Sequence, residues 1–211
     1  MCAALSGADI ECIASLHVQS IDDSLPALLG ERYAARFYSF LAASTRERLF
    51  VERLDGRVAS VCVVSLAPNS LQARIARGTL SSLMAAAFPA LRNAAFRAYL
   101  RGLIQDATGK TAEPHPAPEI TYIFTDPDAR GTGLGAKIIQ RVDAALREEG
   151  YEAYYVKTLD EAENPAIAFY LSNGFARLGI RTEAGRSYVE FRKGLDAGST
   201  DPFVPPPQGS A

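Results

Sequence analysis

The sequence predicts a mixed α/β (α+β) domain, a mixed central sheet flanked by helices, with a helical insertion between the third and fourth strands. Three observations predict it. Apolar residues recur at helical spacing over residues 7–20, 28–41 and 134–149. Two β-hairpins stand out, one turning on Asp55-Gly56 and one around residues 183–186. Two short β-rich runs, 119–125 and 151–158, each lead into a helix. At 211 residues, 48% apolar and 22% charged, the chain has the proportions of one globular domain, expected over residues 1–195. Those proportions exclude a disordered, collagenous or coiled-coil polymer.

In chain order, Ser6 and Asp9 form a capping box, and Ile10, Ile13, Ala14 and His17 or Val18 then make the stripe of a first helix. Asp22, Asp23, Ser24 and Pro26 break the pattern, and Tyr33, Phe37, Phe40 and Leu41 carry the face of a second helix over 28–41. Residues 49–54 and 57–66 pair across Asp55-Gly56, whose residues supply the positive φ of a tight turn. Residues 69–118, rich in Ala, Leu and Arg, broken by Pro89 and closed by a Pro-rich run, read as the helical insertion. Strand 119–125 follows, then a helix to Glu149 with Ile138, Ile139, Val142, Ala145 and Leu146 on one face, stopped by Gly150. After strand 151–158, a helix over 165–171 is capped by Asn164 and ended by Asn173-Gly174. Strands 175–182 and 187–193 close the domain, and the tail 196–211 has too little apolar surface to pack.

Charge and cysteine usage narrow the function. Lys plus Arg number 22 against 24 Asp plus Glu, so the whole chain offers no electrostatic reason to bind nucleic acid. Cys2, Cys12 and Cys62 form no CxxC pair, and His17 and His115 stand far apart, so neither a disulfide framework nor a metal is expected. The amino terminus lacks a secretory pattern, and the longest apolar run, 83–91, falls short of the roughly 20 residues that cross a bilayer. A cytoplasmic, reducing location is the expectation.

The most informative segment is TDPDARGTGLGAKII, a strand that leads through a short loop into Gly131, Gly133 and Gly135 at the start of an amphipathic helix. Glycines let a ligand approach the backbone, and the unpaired N–H groups of a helix start favour phosphate. The run also fits GxGxxA of a dinucleotide fold, with Ala136 in the last slot. There, however, the first glycine follows its strand almost directly and an acid lies about 20 residues on; here Asp126 to Arg130 intervene and Asp160 is too distant. A Walker loop would need GK[ST], which is missing. A glycine-rich connection without a ligand is the structural alternative.

With Arg130, Gly133 and Gly135 in place of [QR]xxGx[GA], the chain resembles the GCN5-related N-acetyltransferase (GNAT) family. The order of elements over residues 6–194 matches as well, and Ala166, Tyr170, Gly174 and Phe175 fall as in that family's last helix and following strand. The sequence departs from the pattern in two places: Glu163 stands where an Asn is common, with Asn164 one position later, and the family's first strand is hard to find in residues 1–5.

The resemblance implies direct transfer of an acetyl group from acetyl-CoA, as co-substrate, to a primary amine of a small molecule. The alternatives are a noncatalytic acyl-CoA-binding regulatory module and a protein-lysine or amino-terminal acetyltransferase. It implies a diphosphate on the amides of Gly131, Thr132, Gly133, Leu134 and Gly135, with Arg130 beside it. It places pantetheine along Phe124 and Thr125, with Asn164 near it. Glu119 would be the base, with a strand-edge carboxylate facing water as the alternative. Tyr170 would hydrogen-bond the departing thiolate. Tyr122, Tyr154 and Tyr155 are expected to pack along strands and His17 to be a half-buried helix residue. In the insertion, residues 69–105 hold five arginines and no acid, interleaved with large apolar residues. Four roles fit: a lid binding an anionic substrate, a peripheral membrane contact, a homodimer contact, or an excursion that simply covers the core.

Overall fold

The computed structural model describes residues 5–108, 117–183 and 186–195. The tail 196–211, His115, Cys2 and residues 1–4, part of the stretch 1–5 in which the first strand is hard to find, lie outside the described residues.

Helix α1 (Gly7–Ser20) starts at the expected box: the Asp9 amide donates to Ser6 Oγ (3.1 Å) and the Ser6 amide to Asp9 Oδ2 (2.9 Å). Such a cap is worth about 1 kcal/mol. The single second helix of the sequence reading is two, α2 (Leu25–Leu29) and α3 (Glu31–Ala43). Ser24 caps α2 by accepting from the Ala27 amide, Pro26 sits in its first turn, and Gly30 at φ 88° breaks the helix before α3. The hairpin β1 (Glu47–Leu54) and β2 (Arg57–Ser65) follows, then α4 (Pro68–Gly78), α5 (Leu80–Ala90) and α6 (Ala94–Thr108). These three helices fall between the second and third described strands rather than the third and fourth, because the extra strand expected before the hairpin is not among the described residues. Then come β3 (Glu119–Thr125), α7 (Leu134–Glu148), β4 (Ala153–Leu159), α8 (Pro165–Ser172) and the hairpin β5 (Ala176–Glu183) and β6 (Arg186–Gly194).

The six strands form one sheet in the order β1-β2-β3-β4-β6-β5, antiparallel except for β3 with β4. Both faces are covered. On one, α7 and α8 pack Ile138, Ile139, Val142, Leu146 and Tyr170 onto Cys62, Val64, Ile120, Val156 and Phe191. On the other, α1 and α3 set Ile13, Leu16, Phe37, Tyr38 and Leu41 on Val61, Val63 and Phe124. Each such side chain, wholly buried, contributes about 1.5–3 kcal/mol. Polar ties fix α7 to the sheet. Glu52 on β1 receives Lys137 (2.6 Å) and Arg141 (2.7 Å), while Asp143 takes the Tyr154 hydroxyl (2.6 Å) and Lys193 (2.7 Å). Tyr154 is therefore more than packing: it anchors the helix that carries the glycine turn.

Candidate active site

β3 and β4 run parallel for only two pairs, Glu119 with Tyr155 and Ile120 with Val156. Beyond them no ladder joins the strands, so residues 121–125 present an open edge in the middle of the sheet. A bulge accompanies the parting. Val63 pairs with Tyr122 and Val64 with Ile120, which leaves Thr121 over. An open edge on an interior strand can hydrogen-bond an extended group of another molecule as a further strand would.

The chain leaves this end of β3 through Asp126, whose amide donates to Ala59 O (2.8 Å) and whose side chain accepts from the Asp128 amide (3.0 Å). One 3-10 turn, Pro127–Ala129, follows, and the Thr132 hydroxyl donates to Ala129 O at 2.6 Å. Gly131 and Gly133 hold φ of 78° and 83°, a left-handed conformation that costs other residues about 1–2 kcal/mol. Among the described residues the amides of Gly131, Thr132 and Gly133 make no hydrogen bond within the protein. The first amides of α7, at Leu134 and Gly135, have no intrahelical acceptor available. These N–H groups gather at the positive end of a 15-residue helix, an arrangement suited to phosphate.

The three glycines are there for two different reasons. A Cβ on Gly131 or Gly133 would meet nothing within 4 Å, so the concave side is open, whereas one on Gly135 would come within 2.9 Å of Phe169 Cε2. Gly135 therefore lets α8 pack against the start of α7. Arg130 is exposed beside the turn. Phe124 is a core residue, 6% exposed, whose carbonyl accepts from Ser60 Oγ (3.2 Å), and the Thr125 hydroxyl lies 2.8 Å from the same Oγ.

On α8, Asn164 Oδ1 accepts from the Ala166 amide (3.0 Å), while Nδ2 donates to Thr158 Oγ1 (2.9 Å) and Leu159 O (2.7 Å). Oδ1 makes the cap and both Nδ2–H donors go to β4, which leaves no donor for pantetheine. Tyr170 packs its ring against Phe169, Phe175 and Phe191 and is 4% exposed, yet its hydroxyl bonds no protein atom among the described residues. Burial pushes that hydroxyl well above the ordinary tyrosine range, so it stays protonated.

The opposite face carries a straight cross-strand row: Glu47, Ser65, Glu119, Tyr155 and Arg192, successive partners in register. Directly opposed residues share a face. Glu119 is 5% exposed on an inner strand, so it is not the water-facing edge carboxylate of the alternative reading. Farther out, Asp23 of the α1–α2 loop meets Arg186 of the β5–β6 hairpin at 2.6 Å. Burial raises the pKa of Tyr99 and of Tyr122, and Tyr33 and Asp23 lie close enough to both hydroxyls to raise them further.

His17 is not half-buried. Its side chain is wholly enclosed, with Nδ1 2.6 Å from the Tyr38 hydroxyl and Nε2 2.6 Å from Ser24 Oγ. Ser24 Oγ also lies 2.8 Å from Ile21 O as donor. That geometry makes Nε2–H the donor to Ser24 and Nδ1 the acceptor from Tyr38, a neutral ring whose pKa burial lowers to about 4. Sequence reasoning also missed Glu47, 4% exposed, which accepts from Ser65 Oγ (3.2 Å) and pairs with Arg74 of α4. No local pattern marks a carboxylate whose partner lies 27 residues away.

Residues 93–177 match the family model of the acetyltransferase (GNAT) domain. Over those residues, about two fifths of its length, the chain is similar to the GNAT acetyltransferases. The matched stretch holds β3, the glycine turn, α7, β4 and α8, the elements that frame the open edge. Among solved structures, a crystal structure of an acetyltransferase superposes with a TM-score of 0.59 at 20% identity, covering 92% of this chain and 98% of the other. A GNAT-family protein from Desulfovibrio desulfuricans gives 0.57 at 14%, covering 92% and 96%. The ribosomal-protein-S18-alanine N-acetyltransferase of Escherichia coli gives 0.55 at 15%, covering 95% and 97%. At these identities the likeness is one of fold. No curated protein sequence matches the chain.

Proposed function

We propose that this chain acetylates a primary amine of a small molecule, and that the acetyl donor lies in the parting of β3 and β4 with its diphosphate on residues 131–135. The observation that carries this reading is the meeting of two features at one end of β3: the strand edge left open after Ile120 and the unpaired amides of the glycine turn. Arg130 would add a charged donor near the phosphates. The backbone of Phe124 and Thr125 would hold the amides of the pantetheine arm.

An alkylamine with a pKa near 10.4 is neutral about one part in a thousand near pH 7.4, a deficit of roughly 4 kcal/mol. Glu119 takes the role of base in this reading, supported by its burial at the root of the parting. Tyr170 is the donor to the leaving sulfur. With its pKa raised above that of a thiol, near 8.5, it stabilises the thiolate by a hydrogen bond rather than by giving up its proton. A small acceptor is supported by the crowding of the Glu119 face: the Asp23–Arg186 pair bridges the α1–α2 loop to the β5–β6 hairpin, and Tyr99 of α6 lies beside them.

Calorimetry with CoA and a thiol-release assay over a panel of small amines and peptide amino termini test this. Tight CoA binding with turnover of a small amine is expected. Binding without any turnover would make the chain an acyl-CoA-binding module, and turnover confined to peptides would make the acceptor a polypeptide. Glu119→Gln should lower turnover most at the acid end of the profile, where the least amine is neutral; a uniform effect across pH would remove Glu119 as base.

A further inference from the structure

α5 packs only part of its circumference. Leu83 and Ala86 face the α1–α3 core, and Ser81, Ser82, Ala85 and Pro89 line an open groove of about 1130 Å³ between α5 and helices α1 and α3. The outward side is apolar: Leu80, Met84, Phe88 and Leu91 are 57%, 65%, 79% and 47% exposed. Their spacing of four, four and three residues puts them within one stripe less than a quarter-turn wide. Most of the molecule's exposed large hydrophobic side chains, among the described residues, stand on this one helix or at its end. Single exposed apolar residues need no explanation, whereas a contiguous patch of this kind marks an interaction surface.

Charge decides what the surface fits. Residues 69–105 hold five arginines and no Asp or Glu. Arg74 is engaged by Glu47, but Arg77, Arg92, Arg97 and Arg101 are exposed. In sequence Arg77, at the end of α4, lies three residues before the stripe and Arg92 directly after it, and Arg97 and Arg101 share a face of α6 one turn apart. The Arg97 guanidinium donates to Leu91 O and Arg92 O, each at 2.9 Å, which ties the α5–α6 turn into a fixed corner. Two copies meeting face to face through α5 and the α5–α6 corner would press these arginines together, and the groove's carboxylates, Glu11 and Glu31, stand on α1 and α3 beside two further arginines, Arg32 and Arg36. A polyanion without an apolar layer would leave the stripe in water. An anionic lipid surface satisfies both at once, with acyl chains for the stripe and phosphates for the arginines.

We infer that α5 and the α5–α6 corner form a docking surface for anionic membranes, by which the acetyltransferase sits peripherally on a bilayer. None of its helices among the described residues is long and apolar enough to cross one. The inference is independent of the acceptor amine and of any role for Glu119 or Tyr170.

Co-sedimentation of the full chain with phosphatidylcholine vesicles, with and without phosphatidylglycerol, tests it. Binding is expected to phosphatidylglycerol vesicles at low salt, to be weak on pure phosphatidylcholine, and to fall sharply at about 1 M salt, where the Debye length is about 3 Å. Phe88→Glu, at a site 79% exposed, should weaken binding by about tenfold or more while melting temperature and thiol release stay unchanged. Arg92→Gln combined with Arg97→Gln should weaken binding and flatten its salt dependence. No binding to the anionic vesicles at low salt overturns the inference. So does equal binding to both vesicle types, or a light-scattering mass that is doubled in the native chain and single in Phe88→Glu, which would assign the stripe to a second copy.

Discussion

His17→Phe separates what the buried imidazole does for stability from what its neighbours do. The ring sits among Phe37, Tyr38, Tyr122 and Phe124, with centroids 5.0–6.3 Å away, so phenylalanine fits the aromatic surroundings but loses the contacts to Tyr38 and Ser24. Leaving the enclosed Tyr38 hydroxyl without a partner costs about 1–3 kcal/mol. Near pH 7.5 the variant should therefore be about 2 kcal/mol less stable by urea denaturation. The native protein also carries a pH dependence that the variant lacks. Burial lowers the histidine pKa to about 4 in the fold, against about 6.5 in the unfolded chain. The unfolded state binds the proton first, so stability is full above pH 6.5 and is lost as pH falls from there towards 4. The loss reaches about 2 kcal/mol at pH 5. The gap between the two proteins should consequently close near pH 5, since every other titrating group is common to both. An unchanged gap between pH 7.5 and pH 5 would refute the assignment of a neutral, hydrogen-bonded ring. Because Ser24 follows Asp23, the variant should also loosen the Asp23–Arg186 bridge, read as a raised acceptor KM.

Three further outcomes are expected. Gly133→Ala forces a left-handed φ of 83° on a residue with a Cβ, and should cost about 1–2 kcal/mol and weaken CoA binding; calorimetry that finds native affinity would place the diphosphate elsewhere. Gly135→Ala collides with Phe169 rather than with open space, so it should destabilise the fold by about 1–3 kcal/mol, seen as a lower melting temperature even without CoA. Tyr170→Phe keeps the ring packing and removes only the hydroxyl; thiol release should slow by about tenfold or more with CoA affinity nearly constant, and an unaltered rate would take Tyr170 out of the mechanism.

Much of the scaffold was legible because its signals are local. The Ser6–Asp9 box, the stripe of α7 and the Asp55-Gly56 turn each depend on residues within a few positions of one another, and they formed where expected. The division of the second helix was also written locally, in Ser24, Pro26 and Gly30, but the aromatic stripe over 28–41 outweighed it. His17 stood at helical spacing from Ile10 and Ile13, a sign of full burial that its polarity obscured.

The sequence by itself determined the glycine turn, the helix behind it and the order of elements around them, since backbone conformation there follows from which residues lack a Cβ and where apolar side chains recur. Only the tertiary structure decided that β3 and β4 part after two residues, that Glu119 is enclosed, that Asn164 commits its Nδ2 to Thr158 and Leu159, and that α5 turns its apolar side to solvent. Those features depend on partners from distant strands and helices, such as Ser65 beside Glu119 and Phe169 against Gly135, and contact between residues far apart in sequence is fixed only when the layers pack.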